Sequence, residues 1–347
     1  MFPEWTWLVG LMIGAAIGSF LNVVIYRMPL GLSLSEPKNS FCPSCKNQLG
    51  VPDLVPLFSW LVLRGRCRQC KAKIPSRYFF VELFTGGVWA AFWYQHLIAG
   101  WDPVRAVALM LFSAALVAAI FIDLKWFIIP DQVNAFMWIV GIGYNAVLFA
   151  QNSPNAMTWG IPSALAGWLV GVGALWAVTF LGRILFGKDA MGHGDIKMAR
   201  GIGAMLFPIT ALMSFAMAVA LGAVLGAVQI LVRARSGSNQ AGDGEQEEDD
   251  EDQNYQPESI GSILKCGIGY VLCFDIIGLF VPKFYESWFG ENPYAVESVA
   301  EESEVETTMI PFGPYLALGA IAAALFEGPL RALVSSYWQW ATGERPH

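Results

Sequence analysis

AVALMLFSAALVAAIFIDLKWFIIPDQV, residues 106–133, decides the fold. The apolar run from Ala106 to Ile122 ends in an acid, Asp123, and a second acid, Asp131, follows Pro130. An apolar stretch of this kind is built to cross a hydrocarbon core about 30 Å thick. An ionisable group at membrane depth is expensive and marks a functional site by default. Asp131 has a cheaper reading, because a residue after proline and ahead of the next apolar run serves as a helix N-cap. Asp123 has none.

The rest of the chain fits a membrane protein. Of its 347 residues 55% are hydrophobic and 14% charged, where a soluble domain carries roughly a quarter charged. Further apolar runs lie at 5–26, 78–98, 133–150, 161–181 and 310–326, and a run at 201–232 is too long for one simple span and too short for two. The run at 5–26 has no basic residue ahead of it and no small-x-small site behind it, so it reads as a retained membrane helix, not a signal peptide. The fold class is therefore an all-α polytopic membrane protein, a transmembrane helix bundle in the lipid bilayer. The net charge of −7 is local, gathered at 241–253 and 297–306. Such acidic runs are solvated segments and give no reason to expect a nucleic acid partner.

Lys and Arg concentrate at Arg27, between Lys38 and Arg77, at Lys125, around 183–200, and at Arg233 and Arg235, whereas 99–102 and 151–160 have neither. The positive-inside rule puts the basic loops in the cytoplasm. One of them, about 29–77, is a small soluble module with cysteines at Cys42, Cys45, Cys67 and Cys70, a C-x2-C-x21-C-x2-C arrangement. Two such knuckles complete a tetrahedral zinc site, and disulfides do not persist in a reducing compartment. A module this small has little core, so bound Zn2+ would supply much of its folding energy. Cys266 and Cys273 lack such spacing and read as buried apolar thiols. The expected organisation is a first membrane helix (1–28), the zinc module (29–77), a catalytic bundle (78–235), an acidic insertion with one apolar re-entrant or interfacial helix (236–309), and a final membrane helix and tail (310–347).

A second acid stands in MGHGDIKMAR, residues 191–200: Asp195, behind Gly192 and Gly194 and ahead of Lys197. The glycines permit a tight turn with positive dihedrals, and read alone Asp195 serves equally well as a helix cap. Asp123 and Asp195 fall on the same side of the membrane, however, where a bundle can bring them together. Two carboxylates near contact share a proton, one acting as base and the other as acid. Such a pair activates a water and protonates a leaving amide nitrogen, which is peptide hydrolysis without a covalent intermediate. His193 is a loop residue on this reading. On the first helix, Gly18, Ser19 and Asn22 serve either close packing or substrate contact, and Glu82 is placed to pair with Arg77.

These residues resemble the type IV prepilin leader peptidases, bifunctional membrane enzymes of the GxGD aspartic protease class. The matching stretches are GSFLNVVIYRMP (18–29), the two CxxC pairs, PLFSWLVLRGRC (56–67), SRYFFVE (76–82), IDLKWFIIPD (122–131), GHGDIKM (192–198) and IPFGPYLALG (310–319). The resemblance implies that Asp123 and Asp195 are the catalytic acids, supported by the loop of Gly192, Gly194 and Lys197. It implies removal of the leader from type IV prepilins and type II secretion pseudopilins at the cytoplasmic face of the inner membrane. It further implies methylation of the new N-terminus with S-adenosylmethionine, with the cysteine-bearing part involved, although no cofactor-binding glycine motif is found. The insertion after Arg235 departs from the family pattern, in which a short basic loop leads to IPFGP. A peptidase without methyl transfer, a proton-coupled transporter and a non-catalytic scaffold are the alternatives.

Overall fold

The computed structural model describes residues 2–36, 40–42, 44–187, 191–236, 259–290 and 311–342. The acidic runs at 241–253 and 297–306 lie outside the described residues. The described chain is helical: α1 (Trp7–Arg27), α2 (Phe58–Val62), α3 (Arg77–Trp93), α4 (Pro103–Trp126), α5 (Asp131–Ala150), α6 (Ser163–Phe186), α7 (His193–Ser236), α8 (Ile260–Val271), α9 (Phe274–Gly278), α10 (Pro282–Phe289), α11 (Gly313–Leu325) and α12 (Glu327–Thr342). Five helices, α1, α4, α5, α6 and α7, are long and apolar enough to cross a membrane, and the bent pair α11 and α12 adds a sixth candidate. The run at 78–98 is held by α3 and a π-helical turn over Tyr94–Ala99. Apart from a short antiparallel strand pair, Met157–Thr158 with Ile161–Pro162, this is the helical membrane bundle that the hydropathy implies.

At the centre stands α4, whose apolar window is 78% buried against 44% or less in the other four. It starts where Asp102 accepts a hydrogen bond from the Arg105 amide at 3.0 Å and Pro103 opens the first turn, the combination that satisfies a free helix terminus. Around it, helices pair through small residues. Gly10, Gly14 and Gly18 recur once per turn on α1, and a methyl group at any of them would overlap Trp93, Trp89 or Glu82 of α3. Gly167 and Gly171 of α6 lie on the backbone of Gly203 and Ala199 of α7 in the same way. In lipid there is no hydrophobic force between apolar helices, so such backbone contact is what holds them together.

The awkward length of the 201–232 run has a physical explanation. α7 is broken at Phe207, whose backbone lies at φ 64 and ψ 171, just ahead of Pro208. Its first arm rises from Asp195 to Phe207, which stacks on Tyr144 near the far end of α5 with ring centroids 6.0 Å apart. Its second arm returns. Thr210 bonds Glu327 at the far end, Ser214 and Ala218 face Gly319, and Gly222 faces Tyr315, back towards the Asp123 end. One apolar run thus supplies two antiparallel arms, and Ser236 and Gly313 come out on the same side.

Residues 259–290 also gather at the Asp123 end, as the three short helices α8, α9 and α10. Trp176 of α6 donates to the Ile263 carbonyl at 3.1 Å, and Gly267 packs against the same indole. Because Gly171 is opposite Ala199, Asp195 is level with Leu175, and α6 runs on to Phe186, about 16 Å further at 1.5 Å per residue. The start of α7 is therefore set back below the end of α6, and α8 to α10 form a roof over the face of α7 that carries His193, Lys197 and Arg200.

Candidate active site and cysteine module

Asp123 lies in the last turn of α4 and Asp195 in the first turn of α7, and they are 5% and 9% exposed. Each faces a helix N-terminus. Asp195 accepts a hydrogen bond from the Gly192 amide just before its own helix. Asp123 accepts one from the amide of Gly313, the first residue of α11. Free amides there favour an anion. Asp123 is the acid that acts electrostatically on Asp195, so the two elements bring their carboxylates to one place. Asp195 Oδ1 is buried with no hydrogen-bond partner among the described residues. An orphaned carboxylate oxygen beside a second acid is free to take a proton or a water.

The glycines act here through space and not through dihedral freedom. Neither Gly192 nor Gly194 has a positive φ, contrary to the turn expected from sequence. A methyl group on Gly194 would stand 3.3 Å from Ile129 Cβ, and one on Gly313 would run into the Asp123 carboxylate. Ile129, two residues before Asp131, thus separates the start of α7 from the start of α11.

Beside the acids lies a polar network. Lys197 Nζ donates to both oxygens of Asp131 at 2.8 and 3.0 Å and to the Tyr285 hydroxyl at 2.9 Å, and that hydroxyl donates to Asp131 at 2.8 Å. Asp131 is therefore no N-cap: it makes no capping hydrogen bond, because its carboxylate is taken by a buried lysine. Arg200 grips Asp275 through two parallel hydrogen bonds of 2.7 and 2.6 Å, with exposures of 0% and 1%. His193 Nδ1 is 2.6 Å from the Tyr270 hydroxyl, so the residue opens the helix instead of lying in a loop. His193, Lys197 and Arg200 share one face of α7, at i, i+4 and i+7. Asp195 is on another face. The 259–290 segment thus covers the side of the helix turned away from Asp123.

In the cysteine module the four sulfurs of Cys42, Cys45, Cys67 and Cys70 lie within 4.8 Å of one another, with Cys42 and Cys70 at 3.8 Å. A Zn–S bond of about 2.3 Å in a tetrahedron places sulfurs about 3.8 Å apart. The two knuckles repeat each other. The Cys42 amide donates to the Asn47 carbonyl and the Cys67 amide to Ala72, both at 2.9 Å, while Lys46 and Lys71 take matching positive φ values of 57 and 59. The Cys45 amide draws the Cys42 thiol down to about 6, with help from the Ser44 amide and against the cost of burial. At Cys70 the Ala72 amide also pulls down, but burial and the three neighbouring sulfurs outweigh it and leave the thiol at about 11. Four thiols at this spacing ionise together only around a cation. The donor set, spacing and electrostatics fit zinc.

Glu82 makes no ion pair with Arg77. Its carboxylate accepts the Leu57 amide at 2.7 Å and a hydrogen bond from Ser19. Cys266 and Cys273 are buried. The roles of Gly313, Asp275, Tyr270 and Tyr285 were not read from sequence, since each depends on a partner far away along the chain.

Two family profiles match the chain, the Bacterial Peptidase A24 N-terminal domain over residues 12–96 and the Type IV leader peptidase family over residues 110–227. A prepilin leader peptidase/N-methyltransferase of Stutzerimonas stutzeri is 34% identical over 259 residues, covering 67% of this chain and 84% of that protein. One of Myxococcus xanthus (strain DK1622) is 33% identical over 323 residues, covering 91% and 89%. A type 4 prepilin-like proteins leader peptide-processing enzyme of Escherichia coli O78:H11 is 36% identical over 218 residues, covering 57% and 76%. No solved structure matches. With two profiles spanning both the cysteine module and the acid-bearing bundle, and relatives aligned over most of their own length, the chain belongs to the type IV leader peptidase family.

Proposed function

We propose that the protein is a membrane aspartic endopeptidase that removes the leader of type IV prepilins and pseudopilins, with Asp123 and Asp195 as its catalytic pair. The observation that carries this reading is the meeting of two buried carboxylates from α4 and α7, one with an unpartnered oxygen. One acid takes a proton from water as its oxygen attacks the scissile carbonyl, and the other gives a proton to the leaving nitrogen. The pair ends with its shared proton exchanged and no bond to the enzyme. Because such carboxylates titrate as a unit, the roles belong to the pair. Burial keeps bulk water from the acids, and Lys197 supports the loop by fixing Asp131 against α7.

The same chain methylates the exposed N-terminal amine, with S-adenosylmethionine supplying the methyl group. Zn2+ held by Cys42, Cys45, Cys67 and Cys70 is structural on this reading, since all four positions are filled by protein. The acid pair faces the cytoplasm and the protein resides in the inner membrane, as the positive loops indicate.

Incubation of the purified protein with a prepilin, followed by mass spectrometry of the product, tests the reading. The leader should be lost with the parent chain. Asp123→Asn or Asp195→Asn should lower the rate by several orders of magnitude, and removing both should cost little more than removing one. A folded, membrane-inserted Asp195→Asn protein that cuts at close to the parent rate defeats the mechanism.

A further inference from the structure

The cysteine module carries an apolar face that neither the acids nor the metal explains. Between its two knuckles Val51 is 81% exposed, Phe58 61%, Leu61 55% and Val62 74%, and Leu54 and Val55 are exposed with them. These positions recur at helical spacing across the short turn Val51–Asp53 and α2. Asp53, Ser59, Trp60 and Leu63, which alternate with them, line the cavity that separates the module from α1 and α3. The segment 51–62 is therefore two-faced, with one side on the protein and the other uncovered. Outside a membrane such a concentration of exposed apolar side chains marks a contact with lipid or with another protein.

Depth decides between the two. Arg27 ends α1, Arg77 starts α3 and Lys125 stands in the last turn of α4, so these cations mark the level where the bundle meets cytoplasmic water. Asn22 donates to the Tyr78 carbonyl at 3.1 Å, which puts the start of α3 about 7.5 Å short of Arg27 along α1 at 1.5 Å per residue. The segment is fastened at that depth and not above it. Trp60 packs on Phe79 with ring centroids 5.1 Å apart, and the Leu57 amide donates at 2.7 Å to Glu82, further down α3. Leu57 holds this bond at φ 64, a strained conformation for a leucine, and Gly65 lies against the Trp60 ring where any side chain would overlap it. Phe79 in turn meets Phe80, which with Leu83 is exposed on the bilayer side of α3. The uncovered face of 51–62 thus continues the lipid-facing surface of the bundle.

Charge agrees with depth. From Lys38 to Arg77 the chain is rich in Lys and Arg, and its only acid is Asp53. An apolar face framed by cations is the composition of a segment that lies in the plane of an anionic leaflet, its apolar side sunk to the acyl boundary.

We propose that residues 51–62 are a membrane-seated strap, with Val51, Val55, Phe58, Leu61 and Val62 immersed in the cytoplasmic leaflet. The cysteine module is then no freely solvated loop. It is held to the bundle at both chain ends and to the bilayer along this edge, with its cavity turned inward against α1 and α3.

The test uses the full-length, zinc-loaded protein in nanodiscs of phosphatidylethanolamine and phosphatidylglycerol. The photoreactive residue p-benzoylphenylalanine is installed at Phe58, at Val62 or, as a control in the first knuckle, at Lys46. After irradiation, mass spectrometry should find phospholipid adducts at Phe58 and Val62 at a yield at least about tenfold above that at Lys46, with or without added prepilin. Val55→Asp combined with Leu61→Asp should cut the adduct at Phe58 at least about tenfold while about one equivalent of zinc is retained. Should that double variant lose its zinc, the crosslinks in the otherwise unaltered chain still decide the matter, because one aromatic residue replaces another at Phe58. Adducts at Phe58 and Val62 to prepilin or to a second copy of the chain, in place of lipid, would assign the face to protein and overturn the proposal. So would a lipid yield no higher than at Lys46, or an undiminished yield in the zinc-retaining double variant.

Discussion

The backbone amide of Gly313 donates to the carboxylate of Asp123, at an approach so close that no side chain fits between them. α11 therefore begins at the acid, and its first residue is part of the acid's environment. Gly313→Ala should push α11 away from α4 by a fraction of the methyl group's size. A misplacement on the order of 1 Å can cost about 100-fold in rate. The expected outcome is a cleavage rate lowered by about two orders of magnitude in a protein that unfolds near the parent temperature. Parent-like kcat in Gly313→Ala would show that the amide does not matter.

Asp131 and Lys197 form a second relationship with a measurable consequence. If Asp131 were only a helix cap, Asn would replace it at little cost. Its actual partner is an ammonium group with a side chain 9% exposed, and removing one member of a buried pair leaves an uncompensated charge, which costs about 3–5 kcal/mol. Asp131→Asn should therefore lower stability in detergent or nanodisc unfolding by that order. Adding Lys197→Met should recover most of the loss, since the double change removes the stranded charge. No recovery in the double variant would mean that Asp131 acts through something other than Lys197.

How far the sequence discloses this molecule depends on how local each feature is. The apolar runs, the paired cysteines and the acid behind the glycines are legible because composition and spacing over a few residues determine them. The break at Phe207 was visible only as a run of awkward length: Pro208 signals an interruption, but the reversal of direction is fixed by Thr210 meeting Glu327 and Ser214 meeting Gly319. The misreading of Asp131 has the same origin. Its position after proline is a local cue for capping, and a lysine 66 residues away overrides it. The roof of α8 to α10 was the least legible part, since Asp275 in an apolar stretch says that something polar is buried without saying what it pairs with.

For the cysteine module, zinc removal is the direct probe. About one equivalent should copurify with the parent. Cys42→Ser with Cys67→Ser takes one ligand from each knuckle and should abolish the metal. Chelation of the parent should expose residues 29–77 to protease while α4 to α7 keep their far-ultraviolet helical signal, because metal binding and folding of so small a module are one equilibrium. Full zinc content in the double variant would remove these thiolates as ligands.

The last prediction concerns Arg200 and Asp275, a fork-on-fork pair buried at 0% and 1% exposure between α7 and the roof. Such a pair contributes little net stability relative to apolar side chains of similar size, yet breaking it from one side costs about 3–5 kcal/mol. Asp275→Asn should therefore destabilise the bundle strongly, and more than Asp131→Asn if burial sets the scale. Arg200→Met combined with Asp275→Leu should recover most of that stability. Arg200 also donates to the Tyr270 carbonyl at 3.2 Å, and Tyr270 in turn meets His193 in the GHGD segment. The double apolar variant loses that link, so it separates folding from placement of the acid. The expected outcome is a stable protein with a lower kcat and an unchanged KM for prepilin, because the roof orients the helix bearing Asp195 without touching the substrate. A stable double variant with parent kcat would confine the roof to a structural role.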